Sequence, residues 1–122
     1  MKLQEECRQY RGMKAETALL KAQLRALENN SIDEQGQKMQ LQKRIDEQLQ
    51  HCANVDAAIA CAPNAMLRAA MIMRYQLGMK WQDVASSCGE KILADAIRKR
   101  VSFFLSSRCK HPTPSRPVLM RG

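Results

Sequence analysis

Between Leu3 and Leu27 the chain carries a heptad stripe. Leu3, Tyr10, Thr17 and Leu24 fall at one core position, and Glu6, Met13, Leu20 and Leu27 at the other. Six of these eight are apolar, Glu6 and Thr17 being polar faults, and charges of both signs fill the remaining faces. The pattern predicts an amphipathic helix of about 37 Å at the 1.5 Å rise per residue. Its length is near the minimum for a coiled coil. Asn29-Asn30-Ser31 stops it, and Ser31 with Glu34 three residues on fits a capping box for the next helix. In that second helix Leu41, Ile45, Leu49 and Cys52 form the apolar stripe. A short loop between the two predicts an antiparallel hairpin, although the first helix could instead pair with its copy in a second chain.

Asn54 to Ala62 reads as a separate, short, Ala-rich helical piece, with a boundary at Pro63. Residues 65–77 predict a helix with Leu67, Ala70, Met71 and Tyr75 on one face, ended by Gly78. A short helix from Trp81 to about Ser87 follows, then Gly89, then a long helix from about Leu93 to Ser107. From Arg108 on, three prolines and four cations without acids or periodicity predict a disordered or extended tail. The expectation is an all-α protein in three parts: residues 1–52 as an amphipathic or coiled-coil helical hairpin, residues 53–107 as a helix–turn–helix domain, and residues 108–122 as a basic tail.

Composition agrees with helices, since Ala, Leu, Gln, Met, Lys and Arg dominate and only 4% of residues are aromatic. The charge changes the picture more. Residues 1–89 hold 12 basic and 10 acidic side chains, whereas residues 90–122 hold eight basic and two acidic ones. Most of the net +8 therefore sits in the last quarter of the chain, which points to a polyanionic partner or, alternatively, to a solvated basic tail that only aids solubility. The five cysteines form no CxxC pair and fit reduced thiols in a cytoplasmic protein. His51-Cys52 and Cys109-Lys110-His111 are too far apart in sequence to signal zinc, and both histidines read as surface residues. No N-terminal run resembles a signal peptide, and no apolar stretch approaches the roughly 20 residues of a membrane span. No phosphate loop, paired carboxylates in an apolar setting or nucleophile beside a base is present, so neither an enzyme nor a cofactor is expected.

The informative stretch is WQDVASSCGEKILADAIRKRV, Trp81 to Val101. A helix–turn–helix needs a small residue where its second helix crosses the first, which Ala85 supplies. Four residues later it needs a position tolerant of positive φ, which Gly89 supplies. Ile97, Val101 and Phe104 then recur at i, i+4, i+7 as the buried face of the second helix. Arg98, Lys99 and Ser102 point away from that face and Arg100 lies at its flank. Base edges are read near the start of such a helix and phosphates are held by cations. Lys91, Ala94, Asp95 and Arg98 are the candidates for base edges, and Lys99, Arg100 and Arg108 for phosphates. The competing reading is a plain helical hairpin with Trp81 in the core and a solvated charged face.

Arg74-Tyr75, Gly78, the Trp81-to-Ala85 segment and Asp95-Ala96-Ile97-Arg98-Lys99-Arg100-Val101 resemble the C-terminal module of small phage and prophage transcriptional regulators of the RinA/ArpU kind. More distantly they are similar to the helix–turn–helix of sigma factors. The resemblance spans residues 63–105. It implies binding to double-stranded DNA through the helix beginning near Leu93, and control of phage transcription. Two positions depart from the sigma-factor pattern. Ile97 follows Gly89 by eight residues, about two more than in sigma factors, and Leu93 stands where a Ser, Thr or Asn cap is expected. A homodimer through the N-terminal helices is expected, with RNA polymerase or another host protein as a further candidate partner. Two rival functions remain open. One is a small-terminase-like protein that recognises DNA for packaging; the other is an adaptor or inhibitor acting on a host protein or ribonucleoprotein.

Overall fold

A computed structural model describes residues 1–29, 35–89 and 92–110, and within them the chain is all-α, with no strand. Helix α1 spans Leu3–Asn29, α2 Gln35–Ala60, α3 Ala65–Met71, α4 Trp81–Cys88 and α5 Ala94–Lys110, and a π-helical turn, Ile72–Gln76, continues α3. Ser31, Glu34, Lys91, His111 and the chain beyond lie outside the described residues.

The α1 stripe is the face that α1 buries. Glu6, Tyr10, Met13, Thr17 and Leu20 are buried, and Leu3, Leu24 and Leu27 are half-buried. The face packs on α2 of the same chain, and the pairs Glu6–Asn54 and Glu16–Arg44 show the two helices to be antiparallel. Both polar faults are satisfied. Thr17 Oγ1 donates to the Met13 carbonyl one turn back, at 2.8 Å. Glu6, 4% exposed, accepts from Asn54 Nδ2 and from His51 Nδ1, each at 2.7 Å. His51 is therefore half-buried against a carboxylate rather than a free surface residue.

On α2 the buried stripe is Ile45, Cys52, Val55, Ala58 and Ile59, with Leu41 and Gln48 half-buried. Leu49, expected on that stripe, is 38% exposed, because Gln48 turns inward to donate to Glu16. The helix does not break after Cys52. No Gly or Pro interrupts residues 53–60, so the Ala-rich piece forms the last turns of α2.

One apolar cluster joins the lower hairpin to the helices that follow. It holds Cys7, Tyr10, Met13, Cys52 and Val55 together with Leu67, Met71, Val84, Ile97, Val101 and Leu105. Val55, Met71, Val84 and Val101 are 0% exposed. Each such side chain stabilises by roughly 1.5–3 kcal/mol. The exposed ion pairs of the surface contribute about 0–1 kcal/mol each, so apolar burial holds α3–α5 on the hairpin. The upper hairpin, with Leu20 and Ile45 buried between its own two helices, lies outside this cluster. It forms a two-helix arm.

Asn64 caps α3, its Oδ1 accepting from the Leu67 backbone N–H at 2.8 Å. Leu67, Ala70 and Met71 face the core as expected, but Ile72–Gln76 widen into a π turn with Leu77 N–H bonded to the Ile72 carbonyl. Gly78 closes the segment at φ +76°, and Met79 N–H returns to the Met73 carbonyl.

The Tyr10 hydroxyl donates to Asp56 Oδ1 at 2.8 Å, and Gln76 donates to the same oxygen at 3.1 Å, tying α1, α2 and the π turn together. Burial, then the Asp56 bond, pushes the Tyr10 phenol from 10.0 up to about 12. Burial pushes Tyr75 up to about 12 as well. Raised folded values favour the protonated fold, so the stability these two groups lend is complete below pH 10.0 and is lost as pH climbs toward about 12. They are the only tyrosines. Phenolate absorbance of the native protein is therefore expected to stay flat through the range where free tyrosine ionises, and to rise together with loss of helix. A phenolate signal at ordinary tyrosine pKa in the folded protein would refute this packing.

Candidate nucleic-acid interface

Helices α4 and α5 are joined by residues 89–93. Val84 and Ala85 of α4 are buried at 0% and 5% exposure, and α5 places Ile97, Val101 and Leu105 against them and the rest of the core. Leu105 is the third deep anchor, and Phe104, expected there, is half-buried beside it. Gly89 terminates α4 at φ +153°, ψ +152°, a conformation nearly confined to glycine, while its N–H bonds the Ala85 carbonyl. Helix α5 starts at Ala94, with the Leu93 carbonyl accepting from Ile97 N–H and the Leu93 side chain 73% exposed. It runs to Lys110 rather than ending at Ser107, so Arg108 is helical and half-buried instead of extended.

The candidate residues divide among three surroundings. Asp95, Arg98 and Lys99 form an exposed triad: Arg98 donates to Asp95 Oδ1, and Lys99 Nζ lies 3.1 Å from Asp95 Oδ2. Bonds from Arg98 and then Lys99 hold the Asp95 carboxyl below its usual range. Ala94 is half-buried against the core and offers little free surface. Ser102 is turned toward α1, where Gln4 Nε2 donates to its carbonyl at 3.3 Å and to the neighbouring Ser106 hydroxyl at 2.9 Å. Arg100 is exposed on the opposite flank. There, with Lys99, it edges an apolar groove of about 410 Å³ walled by Pro63, Met66, Leu67, Phe103 and Phe104. Phe103 is 75% exposed.

Residues outside the stretch complete the Arg98 side. A cleft of about 330 Å³ lies between the start of α1, the π turn and α5, with Arg8, Arg74, Arg98 and Lys99 around Tyr75 and Trp81. The Arg74 guanidinium sits 5.1 Å over the Trp81 ring and donates to the Met79 carbonyl at 3.0 Å, while Tyr75 meets the indole edge-on at 6.2 Å. Trp81 is thus half-buried between core and cleft. Neither Gln4 nor Arg8 carries a local signal for this role. Their place follows from α1 packing on α5, a contact between residues nearly a hundred apart in sequence.

Among the described residues no group of His, Cys, Asp and Glu is arranged to hold a metal ion. Cys7 and Cys52 are buried, Cys61 exposed and Cys88 half-buried. No helix of the described residues is long and apolar enough to cross a membrane. In comparisons with known proteins, no family model, curated protein or solved structure matches the chain.

Proposed function

We propose that the protein binds double-stranded DNA through α5, as a helix–turn–helix regulator of phage or prophage transcription. The observation that carries this reading is the division of α5 into a fully buried face, Ile97, Val101 and Leu105, and an exposed cationic one, Arg98, Lys99 and Arg100. The helix is held on the core by one side and is free to enter a groove by the other. Arg98 is suited to a guanine edge and Asp95 to a cytosine amine, whereas Lys99 and Arg100 suit phosphates. The Asp95 pairs with Arg98 and Lys99 order these cations and must open or be shared when DNA is bound. Because α1 spends its stripe on α2 of the same chain, a homodimer would use the outer faces of the arm, where Leu19 and Met39 are exposed. The phage role rests on the resemblance of residues 63–105.

Mobility shifts with genomic fragments from around its own gene, over a range of salt, test the reading. The expected result is one preferred fragment and an affinity that falls linearly with salt on logarithmic axes, each neutralised phosphate adding about 0.9 to the slope. A dimer in solution fits a regulator, and a ring-like oligomer fits DNA packaging instead. The groove at Phe103 favours a second reading, an adaptor that docks a partner protein. Absence of any shift at physiological salt, with a co-purifying partner lost on Phe103→Asp, decides for that one.

A further inference from the structure

The cleft at Trp81 holds more positive charge than the fold requires. Arg8 and Arg74 have no carboxylate within ion-pair distance among the described residues, and no acidic side chain lines the walls. Among the described residues, Asp95 pairs with Arg98 and Lys99, at the rim. Like charges gathered in a concave site repel one another, so they are tolerated best when an anion occupies it. Two features deliver them there. The π turn places both Arg74 and Tyr75 on the wall, and widened turns of this kind recur at functional sites. The Trp81 ring and the Met79 carbonyl then fix the Arg74 guanidinium, which has N–H donors left beyond the one that carbonyl uses. A volume of about 330 Å³ exceeds what a bare oxyanion fills, and the aromatic floor suits a ligand with an apolar or π-bearing part.

We propose that this cleft binds a phosphate ester, with Arg8 and Arg74 on the phosphate and Trp81 and Tyr75 beneath the rest of the ligand, Arg98 staying at the rim with Asp95. The phosphate comes either from the DNA backbone beside α5 or from a free nucleotide. The first source rests on the DNA reading above; the second does not. In the first case the start of α1 belongs to the DNA interface and sets the angle at which α5 enters it. In the second the cleft takes a small effector next to the proposed reading helix.

Trp81 is the only tryptophan, so its fluorescence reports on the cleft directly. The full chain is titrated at constant ionic strength with inorganic phosphate, with a nucleoside monophosphate and with duplex DNA, for the wild type, Arg8→Gln and Arg25→Gln. Arg8 is exposed on the cleft wall, whereas Arg25 is exposed near the far end of α1, so the two variants lose the same charge in different places. The expected result is a saturable change in Trp81 emission with affinity roughly tenfold weaker in Arg8→Gln, the worth of one hydrogen bond to a charged group. Arg25→Gln stays at the wild-type value. An Arg8-dependent response to duplex alone assigns the phosphate to the DNA backbone. A response to the nucleotide without any duplex binding keeps the cleft and removes the DNA reading. Equal affinities of Arg8→Gln and Arg25→Gln for every ligand, or no response from the wild type, overturn the cleft proposal. Duplex binding by mobility shift in that case leaves the DNA reading standing.

Discussion

Replacing Arg98, Lys99 and Arg100 together with alanine is expected to weaken duplex DNA binding on the order of a hundredfold or more and to flatten the salt dependence by about two units of slope. The estimate joins about 1–3 kcal/mol for a base-reading arginine with the release of counterions from two phosphates. The three side chains are exposed and buttress nothing in the core, so the variant should keep its helix content. Single changes separate their roles. Arg98→Ala should alter which fragment is preferred, while Lys99→Ala should weaken all fragments alike and lower the slope by about 1. Asp95→Ala is expected to raise affinity for fragments in general while narrowing the margin of the preferred one, whose cytosine contact it removes. It releases both cations from their shared carboxylate and removes a negative charge from the approaching face. A triple variant that binds duplex as tightly as the wild type excludes α5 as the binding element and leaves the Phe103 groove as the stronger candidate. Quantitative mobility shifts at several salt concentrations give both the affinity and the slope.

The helices were legible from local rules because each rests on its own stripe and its own stops. The α1 heptad marked five of the six residues that α1 buries, Cys7 being the one off the stripe. Ala85, Gly89, Ile97 and Val101 marked how α4 and α5 meet, and Gly78 and Gly89 both take positive φ. Errors arose where a tertiary neighbour chose between equals. Leu49 and Gln48 compete for one place on α2, and the Glu16 carboxylate across the hairpin selects the glutamine. Phe104 and Leu105 are adjacent on α5, and the core takes the slimmer one deeper. The cleft was not legible at all. Arg8 sits off the heptad stripe and reads as a solvated charge until α1 lies against α5, and nothing in IMRYQ announces the π turn that brings in Arg74 and Tyr75. The stripe of α1 likewise showed Glu6 only as a flaw, since its partners lie 45 and 48 residues away on α2.

That flaw is the basis of the largest expected effect on stability. Glu6 is 4% exposed, and its Oε2 accepts from both His51 Nδ1 and Asn54 Nδ2. Removing a partner from a buried carboxylate costs more than the bond itself contributed, because the charge remains where water reaches it poorly. His51→Leu is therefore expected to destabilise the fold by about 2–4 kcal/mol, a large share of the 5–15 kcal/mol typical of a small domain. Glu6→Leu should cost less, since His51 is half-buried and can turn its nitrogen to solvent. The decisive case is the double variant Glu6→Leu/His51→Leu, which replaces the polar pair with an apolar one on the same stripe. Its stability is expected to return to within about 1 kcal/mol of the wild type or to exceed it, as buried polar pairs exchanged for apolar groups of similar shape often do. Urea unfolding of the four proteins closes the cycle. Additive losses in the double variant would mean that the two side chains stabilise the hairpin independently, and that the Glu6–His51 contact carries no coupling between α1 and α2.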